Sequence, residues 1–399
     1  MNQTAPLAVI AGAGVAGLSC AWWLTELCGW RAIVVERAAH LRDGGYMLGL
    51  SGPGLLTARR MGLVPALREV EREIGENVYL DRRGRQIMRI RYRELLDELD
   101  WITLRRTDLV QVLHRVVRDR CELRMATTVA HWAQDGDGVD VALSDGSRLR
   151  AALLLGADGV HSALRAGAWG ADAPAPAPLG YRYAAYDVAD TLGLERDFVS
   201  YAAVGQQVEY HGLGQGRMAA LHVWRSAQAG PVPPAGRRAL LGELARDAHP
   251  EVARILASLP AGAPLVMDDL AMVEMPAWRK GRILLVGDAA HSLSLISGQG
   301  AGMAMASAAV LAQALAGLPV DQALARHDEV LRPIIDRLQQ RSRTLAPVYV
   351  PASAWSFGLR NAAMRLLPRP LLKRYFLSGL KSEAQAAQVL SLDGAGRTA

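Results

Sequence analysis

Six residues near the start of the chain, Gly12-Ala13-Gly14-Val15-Ala16-Gly17, restrict what this sequence can fold into more than any other feature. They lie between a short apolar run, Leu7 to Ala11, and a longer one, Leu18 to Leu27. A third apolar run, Arg31 to Val35, ends at Glu36. Strand, tight turn, helix and second strand in that order make a βαβ unit. In such a unit the first glycine permits the turn and the second lets the backbone approach a pyrophosphate. The third allows helix and strand to pack closely. The helix N-terminus, with its free N–H groups and positive dipole end, favours phosphate. Glu36 stands about twenty residues on, at a strand end, where a carboxylate can accept hydrogen bonds from a ribose hydroxyl. A bare G-x-G-x-x-G is a weak signal that an ordinary glycine-rich turn would share. The setting and Glu36 together read as a dinucleotide site.

The rest of the chain predicts an α/β protein with an insertion. Residues 55–75 have a helical pattern, 76–102 turn short and β-like, and 106–119 are helical again. Val139 to Leu143, an Asp145-Gly146 turn and the run from Leu149 form an antiparallel pattern. Residues 171–180 are proline-rich and read as a crossing between domains. The alternating stretches that follow, up to about residue 225, suit a sheet with one covered face and one face open to a ligand. Residues 282–288 return to a buried strand, and a long helix follows. The expected fold is a Rossmann-like FAD/NAD(P)-binding domain made of 1–75, 103–172 and 279–345. A β-rich substrate domain, 76–102 and 173–278, is inserted, and 346–399 form a C-terminal helical segment. Residues 301–320 have the length of a membrane span. Gly302, Ser307, Gln313 and Gly317 interrupt them, so a buried helix is the reading.

Composition narrows the function classes. The 399 residues are 51% hydrophobic and 21% charged, an ordinary globular balance. The net charge of +6 is almost all arginine, with lysine only at 280, 373 and 381. The arginines are scattered and do not alternate with aromatics, which argues against nucleic-acid binding. Cys20, Cys28 and Cys121 form no C-x-x-C pair, so neither a disulfide framework nor a zinc site is expected. The nine histidines show no metal-binding spacing. A cytoplasmic protein without metal is the expectation, and no basic leader precedes the first apolar run. A G-x-S-x-G nucleophile elbow is absent too.

Two further segments resemble the first in pairing a strand end with small residues. One is Gly156 to Arg165 (GADGVHSALR); the other is Val286 to Gly302 (VGDAAHSLSLISGQGAG). Each alone is an acidic residue on a strand-to-helix turn. In this order, with the first motif, they resemble the single-component flavoprotein aromatic hydroxylases, the family of p-hydroxybenzoate hydroxylase and many phenol, polyketide and antibiotic-modifying monooxygenases. The likeness runs from about residue 5 to 320. It implies FAD with its ADP half at Gly12, Gly14, Val15, Ala16, Gly17 and Glu36, with Arg37 beside them. It implies Asp288 at the ribityl–pyrophosphate region and Gly300, Ala301 and Gly302 near the isoalloxazine. Asp158 would serve both FAD and NADPH or NADH as co-substrate. Arg106, opening an R-x-x-L helix start with Leu109, would contact FAD, and the backbone of Val129 would meet the adenine. Two positions depart from the family: Leu295 stands where proline is usual, and Gly302 where asparagine is usual. Both border flavin and substrate in relatives, so an oxidase, a dehydrogenase, a non-redox cyclase or a non-catalytic flavin-binding protein stay open. Halogenases of this fold use an early lysine and a tryptophan-rich motif that this chain lacks. His40 or Cys20 offers a covalent flavin link in principle; a surface histidine and a buried helix cysteine are the plainer readings.

The resemblance further implies an activity in secondary metabolism: NAD(P)H reduces FAD, oxygen adds to give a flavin hydroperoxide, and an electron-rich aromatic or polycyclic ring is hydroxylated. No catalytic base is identified. Tyr181, Tyr183, Tyr210, His211, His222 and Trp224 are the substrate-face candidates, and His222 and Trp224 share one face of their strand. Tyr210, His222 and Trp224 stand first among them. Residues 355–380 mix leucine, aromatics and basic side chains as a membrane-surface helix does. Pro368 and Pro370 interrupt that pattern, and packing against the body is favoured. A monomer or homodimer is expected.

Overall fold

The computed structural model describes residues 5–41, 46–92, 94 and 100–366. The strand Leu7–Ala11 pairs in parallel with Arg31–Val35 on one side and Leu153–Gly156 on the other. Ile283–Leu285 and Glu122–Arg124 extend this sheet in parallel, and Arg279–Lys280 adds an antiparallel edge to make six strands. The central strands are runs of Ala, Val, Ile and Leu with almost every residue buried. Strands covered by helices on both faces need that composition. Between the first two strands runs the helix Val15–Cys28. It ends at Gly29, whose φ of 65° is the left-handed cap that glycine adopts without strain.

The apolar helix Gly300–Gly317 is long enough to cross a membrane by composition. It is a core helix here, buried along most of its length and packed against Val15–Cys28 and the helix Gly52–Arg60. The helix expected over 55–75 is two, Gly52–Arg60 and Val64–Glu69. Gly62, at φ 68°, turns the chain between them. A three-stranded sheet, Val129–Gln134, Val139–Leu143 and Arg148–Ala151, flanks the first sheet.

A seven-stranded sheet forms the second layer. Its spatial order is Val266–Met272, Ala177–Ala189, Arg217–Arg225, Gln206–Gly214, Phe198–Ala203, Glu76–Leu80 and Gln86–Arg91. The proline-rich stretch is only partly a crossing: the strand has begun by Ala177, and a bulge between Pro178 and Arg182 absorbs the irregularity. This region is also less purely β than its alternation suggested. Helices Pro234–Ala245 and Pro250–Ser258 lie within it, each with proline in its first turn.

Those two helices decide what the sheet's faces do. Val208, Tyr210, Tyr186 and Trp224 pack beneath Leu241, Val252 and Ile255 as one apolar cluster. His222, on the same face, bonds the Tyr186 hydroxyl at 2.9 Å. His222 and Trp224 do share a face, as expected, but it is the face the helices cover. Tyr210, His222 and Trp224 are therefore core residues on the side away from the first sheet. Strand pairing puts Tyr183, Val223 and Gln207 in one row on the opposite face, and Leu221 and Glu209 in the next. Tyr181 and His211 share that face. The six candidates divide evenly between the two sides.

The helix Val320–Tyr349 runs through position 345, where a C-terminal segment was expected to begin. Its end, Ala346 to Val350, packs on Tyr181, Val223 and Leu270 together with Leu295 and Ile296. A last helix, Ala354–Leu366, lays Phe357 and Met364 on Ile87, Met88 and Ile90. The segment 355–380 thus begins by packing on the body; Pro368, Pro370 and all residues past 366 lie outside the described residues.

Candidate functional site

Three sequence segments that are far apart in the chain meet at the C-terminal ends of the parallel strands. Gly12 has a φ of 110°, and a Cβ there would stand 2.4 Å from the Ala157 carbonyl oxygen. A Cβ on Gly17 would stand 1.9 Å from the Gly12 carbonyl oxygen. One on Gly287, at φ 58°, would stand 2.7 Å from the Ala16 Cβ. The glycine turn is thus pressed against the Asp158 segment on one side and the Asp288 segment on the other. Arg165 ties those two together, donating to the carbonyls of Ala289 at 2.9 Å and Val160 at 2.7 Å.

Around this junction several polar groups are free to take a ligand. Gly14 differs from its neighbours: a Cβ there would meet nothing within 4 Å. The helix it precedes has no acidic residue in its first turn and no side-chain cap. Its first N–H groups are accordingly available to an anion. Glu36 accepts from the Ala13 and Ala38 N–H groups, each at 3.0 Å. The Glu36 carbonyl accepts from Thr127 at 2.9 Å, which brings the start of the Val129 strand to the same end of the site. Arg37 and His40 are exposed beyond it, and Cys20 lies fully in the core, where burial pushes its thiol up to about 12. Asp158 accepts from the Leu164 N–H with one oxygen, and its other, buried oxygen has no partner among the described residues.

Asp288 and Arg106 form the centre. Asp288 is enclosed by protein, so burial raises its pKa while Arg106 opposes the rise. Its side chain nevertheless has open surface. A group this deep that is still open lines an internal cleft. Arg106, at the start of the helix Arg106–Val117, lies among Tyr46, Asp288 and Tyr183. The Tyr46 and Tyr183 rings meet edge to face with centroids 6.1 Å apart. Gly300 faces Asp288, and the helix it opens again has neither acidic first turn nor side-chain cap. One cleft therefore runs from the glycine turn to the open face of the seven-stranded sheet.

Residues 6–224 and 266–329 match the family described as FAD binding domain. The chain belongs to this family of flavoproteins. Aurachin C monooxygenase/isomerase of Stigmatella aurantiaca is 30% identical over 373 residues, covering 92% of this chain and 95% of that protein. A flavin-dependent monooxygenase of an unknown prokaryotic organism is 28% identical over 344 residues, covering 83% and 87%. Among solved structures, tetracycline destructase Tet(55) is similar with a TM-score of 0.82 at 25% identity, covering 99% of this chain and 100% of that one. Klebsiella pneumoniae HpxO complexed with FAD and uric acid shares the fold, with a TM-score of 0.81 at 21% identity, covering 94% and 97%. The protein is an FAD-dependent oxidoreductase of the flavoprotein monooxygenase family.

The flavoprotein's own geometry suits that cofactor. The space beside Gly14, the uncapped helix start, the unpartnered Asp158 oxygen and the open Asp288 carboxyl provide donors and acceptors for a pyrophosphate and a polyol chain. Several residues of the cleft went unnoticed in the sequence. Tyr46 lies in a small-residue stretch with no motif of its own. Gly54 sits where two helices cross: a Cβ there would stand 2.5 Å from Gly302 Cα. Glu209 and Gln207 did leave a signal, because they alternate with Val208 and Tyr210. The alternation was legible; which side the helices Pro234–Ala245 and Pro250–Ser258 cover was not.

Proposed function

We propose that this flavoprotein is a monooxygenase that hydroxylates a small aromatic or polycyclic molecule with NADPH or NADH and dioxygen. The observation that carries the reading is the cleft itself. It joins the dinucleotide junction to a sheet face that presents the half-buried Tyr183 and Leu221, so a flat apolar ring has a wall to lie on. Gly12, Gly14, Val15, Ala16 and Gly17 take the pyrophosphate, Glu36 the ribose, and the Val129 backbone the adenine side. Arg106, Asp158, Asp288 and the helix start Gly300, Ala301 and Gly302 hold the rest of FAD. When bound, FAD supplies reduction by the nicotinamide and activation of oxygen. The protein orients the ring and excludes water.

Purified protein reconstituted with FAD should oxidise NADPH faster when phenols or related rings are added. Under isotopically heavy oxygen, mass spectrometry should find one heavy atom in the product. Oxygen uptake with peroxide as its only product would replace this reading with an oxidase, and product formed without heavy oxygen would point to a dehydrogenase or cyclase.

A further inference from the structure

Beyond Tyr183 the cleft ends on a carboxyl group that the fold leaves half used. Glu209 lies in the middle of the seven-stranded sheet, two strands or about 10 Å from the strand of Tyr183. Its Oε1 accepts from the Gln207 amide at 2.7 Å and from the Tyr349 hydroxyl at 2.9 Å. No hydrogen bond or ion pair reaches its Oε2 from the described residues. Glu209 is enclosed by protein and still has open surface, as are Tyr79, Tyr92 and Tyr349 around it. These four line the far end of the same cleft. On the sheet, Glu209 stands directly opposite the half-buried Leu221, beside the row of Tyr183, and Tyr349 packs in the cluster that holds Leu295 and Ile296.

Among the described residues no cation pairs with Glu209. The guanidinium near Tyr79 and Tyr349 is Arg360, and it donates to the carbonyls of Val348 and Tyr349 and to Asn361. A buried carboxyl with one satisfied and one open oxygen is costly unless something donates to the open one. Its surroundings are flat and aromatic: Tyr92 stacks on Phe198 with centroids 5.4 Å apart and an interplanar angle of 2°. A ring lying here meets phenol edges on several sides and one acceptor at its end.

We propose that Glu209 determines substrate choice: its Oε2 accepts a hydrogen bond from a ring N–H or phenolic O–H of a planar substrate that carries no carboxylate. This rests on the monooxygenase reading and names its substrate class. Gln207 and Tyr349 are positioning residues that hold the carboxyl by its other oxygen. An aromatic acid is rejected, because its carboxylate has no proton to donate and would set acceptor against acceptor at Oε2.

The test measures binding by quenching of protein fluorescence in FAD-loaded protein without NADPH, so it is independent of turnover. The probes are indole against N-methylindole, naphthol against methoxynaphthalene, and naphthoate as the acid. The donor-bearing member of each pair should bind about tenfold or more tightly, as expected when an analogue leaves a buried polar group unpaired. In Glu209→Leu that ratio should fall to about one, and in Glu209→Gln, whose one oxygen stays with Gln207 and Tyr349 so that an NH2 donor replaces Oε2, it should fall to about one or below. Visible spectra show whether each variant holds FAD; if Glu209→Leu does not fold, the wild-type ratio and Glu209→Gln still decide. Equal binding within the pairs, tighter binding of naphthoate, an unchanged ratio in Glu209→Leu, or no saturable binding of either donor-bearing ring overturns the proposal. The expected ratios with no oxygen incorporation would instead sink the monooxygenase reading alone.

Discussion

Gly14 and Gly17 stand three residues apart and are glycines for different reasons. At Gly17 a methyl group would collide with a backbone oxygen of the same turn, 1.9 Å away. Nothing flexible lies there to yield, so Gly17→Ala must move helix against strand and should cost on the order of 1–3 kcal/mol or more. Gly14 has a φ of −82°, a value any residue adopts, and open space where its side chain would be. Only a ligand gives that position a reason to be small. Gly14→Ala should leave the apoprotein within about 0.5 kcal/mol of wild type. It should weaken FAD binding by about tenfold or more, because the backbone can no longer approach the pyrophosphate. Thermal unfolding of the apoprotein and a fluorescence titration with FAD separate the two effects. A Gly14→Ala protein that binds FAD normally would move the pyrophosphate away from this turn.

Between elements, the same comparison applies to the crossing of Gly52–Arg60 over Gly300–Gly317. A Cβ on Gly54 would stand 2.5 Å from the Gly302 Cα, whereas one on Gly302 would have its nearest neighbour at 3.4 Å, an ordinary contact. Gly54→Ala should push the helices apart and lower stability by about 1–3 kcal/mol, whereas Gly302→Ala should be nearly neutral. Equal denaturant midpoints for the two variants would show that the crossing is not the constraint. The crossing also gives Gly302 a packing role beside the cofactor role proposed for it. It illustrates what the sequence conveyed and what it did not. The glycine turn, Asp158 and Asp288 were legible because each is tied to a local strand-to-helix junction with a fixed chemistry. The face of the seven-stranded sheet was not. Alternation shows that His222 and Trp224 share a side. The side itself depends on Pro234–Ala245 and Pro250–Ser258 packing onto it from elsewhere in the chain, and that is a tertiary fact. Tyr349 was illegible for the same reason: it reaches Glu209 from the end of a helix 140 residues away.

The whole molecule carries five histidines whose ordinary charge its packing suppresses: His211, His222, His291 and His327 in the interior, and the less enclosed His114, which Arg118 also pushes down. Burial lowers His222 and His327 to about 3 and His211 and His291 to about 4, with Arg72 adding to the effect at His211 and His291 itself adding to it at His327. His291 and His327 both lie against Trp278, behind the turn that carries Asp288. A depressed folded pKa means that the unfolded chain binds more protons between the two values. Stability from these groups is therefore complete above about pH 6.5 and is lost as pH falls below it. Each interior ring contributes about 1.4 kcal/mol per pH unit in that window, so together they can remove a large part of a typical 5–15 kcal/mol stability. Asp187, Glu209 and Asp288 are shifted upward by burial and act with the opposite sign, favouring the folded state as they take up protons. Each carboxyl acts between its ordinary value and its raised one, so the three offset part of the loss, and the more numerous histidine rings set its direction. The thermal midpoint of the apoprotein should fall between about pH 7.5 and about pH 5.5, and the fall should be shallower in His327→Gln, which removes one of the titrating rings. A midpoint that stays level or rises over this range would mean that the histidines reach their protons without unfolding, through the cleft that the cofactor occupies.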